Sequence, residues 1–173
     1  MADTFTPNAD QLVSDNADYA EQFSDQDLPA APGRNLAVVA CMDARLDVSR
    51  VLGLRNGDAH VIRNAGGVVT DDVIRSLTLS QRALGTREIV LVHHTRCGLQ
   101  GVDEEGFRRE LADEVGITPS WSLEGFDDVE EDVRQSMHRL RMSPFLPHKD
   151  HIRGFVYEVE TGRVREVLDH GGR

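Results

Sequence analysis

EIVLVHHTRCG, residues 88–98, is the stretch that decides how this chain is read. Its first part is a short, unbroken apolar run, the pattern of a β-strand covered on both faces. Its second part leaves the strand through two adjacent histidines, a cysteine and a glycine. The chain has one other cysteine, Cys41, and it closes a similar run in LAVVACMDAR, residues 36–45. Both cysteines therefore stand where a buried strand runs out. A disulfide, a pair of inert core thiols and a metal site are the three explanations in competition.

Working outward from these two runs, strand and helix alternate. DVSRVLGL is a short helix after the first strand, and AHVIRNAGG a second strand ending in a glycine turn. TDDVIRSLTLSQRALG has a capping residue at Thr70 or Asp71, helical spacing at Val73, Ile74, Leu77 and Leu84, and a stop at Gly85. EIVLVHH is the third strand. DEEGFRRELADEVG, with Phe107, Leu111 and Val115 four apart, is a further helix. DDVEEDVRQSMHRLRMSP stacks Val129, Val133, Met137 and Leu140 until Pro144 ends it. GFVYEVETGRVREV reads as two strands about a turn at Thr161-Gly162.

The fold class expected is α/β: a parallel sheet core flanked by helices, with a C-terminal hairpin edge and an N-terminal helical arm. A single domain spans 1–173, with 1–35 as arm and linker and 36–173 as the α/β core. Residues 7–27 form the arm, with scattered Leu12, Val13, Tyr19 and Phe23, and DLPAAPGR is the linker. Ligands of such sheets bind beyond the carboxyl ends of the strands. Cys41, the segment Arg63 to Gly67, and His94 with Cys97 all fall at that edge.

Composition narrows the function classes. Thirty acidic residues against nineteen basic give a formal net charge of −11, and Lys149 is the only lysine. Such a surface repels phosphate backbones and anionic lipid, which argues against nucleic acid and membrane as partners. The first thirty residues hold no basic start and no apolar stretch, so a soluble cytoplasmic protein is expected. Thiols stay reduced in that compartment, which favours metal or catalysis over a disulfide.

His94 and Cys97 are close enough to share an ion as the chain turns out of its strand. Cys41 joins them if the first and third strands are neighbours. Two thiolates and an imidazole are a soft set suited to zinc, and three protein ligands leave a tetrahedral ion one open position. Adjacent strand residues point to opposite faces, so His93 and His94 do not both reach one ion. Spacing alone does not choose between them. His60, His138, His148, His151 and His170 read as surface or structural residues. In CMDAR, Asp43 and Arg45 share a face of an extended chain, where the arginine fork keeps the carboxylate oriented and ionised. An ordinary ion pair at a strand terminus is the plainer reading of the same two residues.

Taken together, CMDAR, RNAGG and HHTRCG resemble the β-class carbonic anhydrases, in the order and approximate spacing of the smaller members. The similarity continues through FRRELADEVG, EDVRQSMHRLRMSPFLPH and RGFVYEVETGRV, so it covers nearly everything after residue 36. The resemblance implies Zn2+ held by Cys41, His94 and Cys97, with His93 a neighbour and Asp43 and Arg45 the dyad beside the metal. It implies a substrate pocket along Asn64, Ala65, Gly66, Gly67 and Gly98, the small residues leaving space for a small apolar substrate. The activity implied is reversible hydration of carbon dioxide to bicarbonate and a proton by a metal-bound hydroxide, with water brought to a pKa of about 7. Hydrolysis of carbon disulfide or carbonyl sulfide on the same site, and a non-catalytic zinc scaffold, are the alternatives. His93 or His60 would serve as proton shuttle. The family also implies a homodimer or higher homo-oligomer, with the N-terminal helix packed on the partner. One departure stands out: Arg96 occupies a position that is often acidic in relatives.

Overall fold

The computed structural model describes residues 6–169, so His170 lies outside the described residues. The elements run α1 (Ala9–Glu21), β1 (Leu36–Cys41), α2 (Val48–Leu52), β2 (Ala59–Asn64), a single 3-10 turn at Ala65–Gly67, α3 (Asp71–Leu84), β3 (Glu88–His94), α4 (Glu104–Val115), α5 (Val129–Met142), β4 (Ile152–Glu158) and β5 (Arg163–Val167). The five strands form one sheet in the order β2-β1-β3-β4-β5. The first four are parallel and β5 alone is antiparallel, closing the C-terminal hairpin against β4.

Both central strands carry the apolar runs that mark them. Every residue of β1 is buried, with α3 and α5 on one face of the sheet and the short α2 and loop residues such as Leu99 and Phe126 on the other. One face packs Ala37, Val39, Ile89 and Leu91 against Val73 and Leu77 of α3 and Val133, Met137 and Leu140 of α5. The other packs Val38, Ala40 and Val92 against Leu46, Val48, Leu99 and Tyr157. The helix boundaries follow their caps. Thr70 accepts from Val73 N at the start of α3, Asp128 accepts from Glu130 N and Glu131 N at the start of α5, and Gly85 stops α3 with φ +77°.

The second strand ends at Asn64, and its expected glycine turn is Ala65–Gly67, where Gly66 and Gly67 take left-handed φ of +77° and +73°. The apolar residues of α4 do not form a core stripe: the helix buries none of its residues, and Phe107 and Val115 stay exposed. The arm is helical from Ala9 to Glu21 but buries nothing in its own chain.

Close approach of α5 to the sheet rests on Gly154 of β4. A Cβ there would lie 2.2 Å from Val133 Cγ1 and 3.1 Å from Met137 Sδ. We expect Gly154→Ala to lower stability by about 1–3 kcal/mol through overpacking. Val133→Ala in the same chain should return part of that loss, a coupling that a double-mutant cycle of urea unfolding midpoints reads directly. Strictly additive effects would contradict this packing.

Candidate metal centre

The neighbouring positions of β1 and β3 bring the two cysteine segments together. The ligand atoms of Cys41, His94 and Cys97 all lie within 4.8 Å of one another, and all three residues are buried. Cys41 ends β1, His94 ends β3, and Cys97 follows in the turn beyond it. No other such group of His, Cys, Asp or Glu occurs among the described residues. Both thiols are free, which sets the disulfide aside.

Hydrogen bonding prepares this set for a cation. His94 Nδ1 lies 2.9 Å from the Thr95 carbonyl, so Nδ1 carries the donated proton and Nε2 the lone pair. That Nε2 is buried and has no hydrogen-bond partner. A buried acceptor facing two sulfurs is costly to leave unpaired and fits a soft divalent ion. Backbone N–H groups of Asp43 and Leu99 face the Cys41 and Cys97 sulfurs and favour their anionic forms. The thiols share a proton: Cys41 is pushed down, first by the hydrogen bond it accepts from Cys97, and Cys97 is pushed up by donating it.

The dyad meets, though not along an extended strand. Beyond Cys41 the chain turns at once, with Leu46 N donating to Asp43 O at 3.0 Å. Within that turn Arg45 N and Nε both donate to Asp43 Oδ1 at 2.9 Å, and Nη2 donates to Oδ2 at 2.7 Å. These bonds hold the Asp43 carboxyl well below the usual carboxylate range. Its Oδ2 stands 3.7 Å from His94 Nε2, so an ionised, immobilised carboxylate borders the ligand set.

Sequence reasoning placed Arg63 at this edge without a task. Its Nε donates to Cys41 O at 3.0 Å and its Nη2 to Asp43 O at 2.8 Å, which fixes the backbone that presents ligand and dyad. Arg96 takes left-handed φ of +57°, turning its carbonyl to Arg45 Nη2 at 3.1 Å. Its guanidinium faces Glu160 instead of the cluster, with Nη1–Oε1 at 3.4 Å. The charge at the departing position is therefore answered from the β4–β5 turn.

The glycines of RNAGG face protein. A Cβ on Gly67 would meet Cys41 N at 2.7 Å, and one on Gly66 would meet Leu99 Cδ1 at 2.8 Å. Close packing of the turn over Cys41 is thus what Gly67 requires, and close packing against Leu99 is what Gly66 requires. Gly98, by contrast, has open space where a Cβ would stand.

Neither histidine weighed as a proton shuttle is placed for the task. His60 is near the start of β2, tied to Ser80 Oγ at 2.8 Å and Ala30 O at 3.1 Å, and the site lies at the strand's other end. His93 is fully buried, its Nε2 3.0 Å from Gly67 O and its Nδ1 3.2 Å from Asp132 Oδ2. Burial pushes the His93 ring down to about 4, and burial with Glu124 nearby pushes the Asp132 carboxyl up to about 7.

Comparison with known proteins gives a consistent result. The carbonic anhydrase family profile matches residues 36–121. Beta-carbonic anhydrase 1 of Mycobacterium tuberculosis is 54% identical over 158 residues, covering 91% of this chain and 96% of that protein. The crystal structure of carbonic anhydrase from Streptococcus mutans superimposes with a TM-score of 0.88 at 43% identity, covering 95% of this chain and 100% of that one. Carbon disulfide hydrolase of Acidithiobacillus thiooxidans is 36% identical over 176 residues, covering 90% of this chain and 88% of its own.

Cys97 is pushed toward its protonated form, and the Cys41 sulfur raises His94 as well, so loading a divalent ion must displace protons. We expect Zn2+ uptake by metal-free protein to release at least one proton per ion near neutral pH, and affinity to rise with pH. Titration calorimetry in buffers of different ionisation enthalpy measures the number. Uptake without proton release would contradict the shared-proton arrangement.

Proposed function

The chain belongs to the β-carbonic anhydrases, and from that premise we propose that it hydrates carbon dioxide reversibly to bicarbonate and a proton on Zn2+ held by Cys41, His94 and Cys97. One observation carries the reading. Three buried ligand atoms converge within 4.8 Å, and the nearest further candidate, Asp43, is held by Arg45 beside them. Three protein ligands with one open position are the catalytic form of a zinc site; a structural site is closed by a fourth residue.

When bound, the ion supplies a water acidified toward neutral pH, and hence a nucleophile for a linear, weakly electrophilic substrate. Asp43 Oδ2 accepts a hydrogen bond from the attacking water and so fixes the direction of its lone pair. Arg45 prevents the carboxylate from rotating onto the ligand set by holding both its oxygens. Arg63 and the Arg96 carbonyl keep this pair in register with Cys41. Substrate then enters beside Asn64, Ala65 and Gly98, with the buried Gly66–Gly67 turn as the floor. The tethered dyad supports turnover over a non-catalytic scaffold.

We also read the protein as a cytoplasmic homo-oligomer built from one domain. Two free thiols suit a reducing compartment. Among the described residues no helix is long and apolar enough to cross a membrane. Helix α1 leaves Leu12 and Val13 exposed, with the Tyr19 and Phe23 rings in tilted contact at its end. A groove of about 1200 Å³ between α3 and α5 offers Ile74, Met142 and Phe145, with Arg75, Arg134 and Arg139 among its walls. The acidic, apolar-striped arm of a second copy matches that groove in both respects. Removing residues 1–22 should convert a dimer to monomer in light scattering, whereas an unchanged mass would refute exchange of the arms.

Stopped-flow hydration of carbon dioxide with parallel metal analysis tests the activity. Asp43→Asn should keep zinc and lose on the order of a hundredfold in kcat/KM. Cys97→Ala should lose the metal. Full zinc loading with turnover of carbon disulfide or carbonyl sulfide, and none of carbon dioxide, would transfer the assignment to the hydrolases.

A further inference from the structure

Outside the ligand cluster, a buried row of chemically capable groups runs through Asp132 of α5, His93 of β3 and the carbonyl of Gly67. The two His93 nitrogens face different partners, Gly67 O at 3.0 Å and Asp132 Oδ2 at 3.2 Å. The His93 ring is fully buried and stacks 12° from parallel on Phe126, with centroids 6.3 Å apart. Neither His93 Nδ1 nor Asp132 Oδ2 has a hydrogen-bond partner in the structure, so two buried polar atoms stand 3.2 Å apart unpaired.

Proton counting fixes the chemistry of this chain. A carbonyl oxygen only accepts, so His93 Nε2 must carry the hydrogen that faces Gly67. Were Nδ1 bare and Asp132 ionised, two lone pairs would confront each other in a buried gap. One proton therefore resides between Nδ1 and Oδ2, and burial of both groups favours the uncharged arrangement, with that proton on the carboxyl. Asp132 then donates to His93, and His93 donates to Gly67.

Gly67 is no ordinary turn residue. It packs so closely on the Ala40–Cys41 peptide that a Cβ would fall 2.7 Å from Cys41 N and 2.9 Å from Ala40 C. The same turn is tied at its other end, where Asn64 Nδ2 donates to Val68 O at 2.9 Å and Asn64 O accepts from Met42 N at 2.8 Å. Pressure on the Gly67 carbonyl is therefore pressure on the backbone of the first metal ligand. His93 also precedes His94, the ligand at the end of the same strand.

We propose that Asp132 and His93 are positioning residues for the metal centre, clamping the Gly66–Gly67 turn onto the Cys41 peptide so that Cys41 and His94 meet one ion. The inference rests on the ligand assignment above and extends it to a helix that contributes no ligand. It distinguishes two roles for α5: Val133, Met137 and Leu140 pack the core, whereas Asp132 acts on the site through a directed hydrogen-bond chain.

The test uses cobalt as the metal probe in the full chain. Asp132→Leu removes the donor while filling the space with apolar volume, so the fold should persist, with a Tm equal to or above the parent's. Its cobalt should leave to a chelator on the order of tenfold faster, with a shifted d–d absorption envelope. Asp132→Asn, whose amide N–H still donates to His93 Nδ1, should restore the parent rate and spectrum. A leucine variant that folds and holds cobalt like the parent would overturn the proposal, since a merely structural role moves Tm and leaves the spectrum. In the unaltered protein, nitrogen-15 spectra should show a slowly exchanging His93 Nε2 proton and a bare, hydrogen-bonded Nδ1. Absence of that protected proton would equally refute the chain, whatever the variants do. If the parent takes up no cobalt, the ligand assignment fails by itself, and the His93 signal still reads the clamp.

Discussion

β1 and β3 are not consecutive, yet they run side by side and in the same direction, from Leu36↔Glu88 to Ala40↔Val92. That pairing brings Cys41 to the loop holding Cys97, and every other feature of the site elaborates it. Parallel strands joined by right-handed crossovers end on one edge of a sheet, where backbone amides and carbonyls run out of partners. Here the edge is finished by side chains. Arg63 takes up the Cys41 and Asp43 carbonyls, Arg45 takes up the Arg96 carbonyl, and His93 donates to that of Gly67. The site is thus assembled by the same groups that satisfy the frayed end of the sheet.

The same pairing explains why one histidine faces the two sulfurs and its neighbour does not. Continuing the register beyond Ala40↔Val92 would set Cys41 level with His93. The chain turns sharply after Cys41, however, and the cysteine joins the face that carries Ala40, Val92 and Cys97. His94 lies on that face. His93 is left on the other, under α5, where Phe126 and Asp132 receive it. Strand alternation separates the two rings, and the turn at Asp43 decides which one meets the sulfurs.

Much of this was legible in the chain itself. Apolar runs with turn residues between them gave the alternating elements, and the two cysteines, with the histidine a resemblance chose, are the residues the fold brings together. What escaped depended on contacts between distant segments. Nothing in the sequence links Asp132 to His93, or Glu160 to Arg96, because neither pair has a fixed spacing. Nor does the sequence show that the two glycines of RNAGG also answer to packing, Gly67 against Cys41 and Gly66 against Leu99. Likewise the apolar residues of α4 have helical spacing but remain at the surface. Periodicity reports which residues share a helix face, and only the tertiary arrangement says what that face meets.

The account's chemistry reduces to an N,S,S donor set with room for one more ligand. X-ray absorption at the zinc edge of the loaded protein examines that set directly. Two sulfur neighbours near ~2.3 Å and two lighter ones near ~2.0–2.1 Å are the expected shell. A shell of light atoms without sulfur, or one with a single sulfur, would contradict the assignment of Cys41, His94 and Cys97.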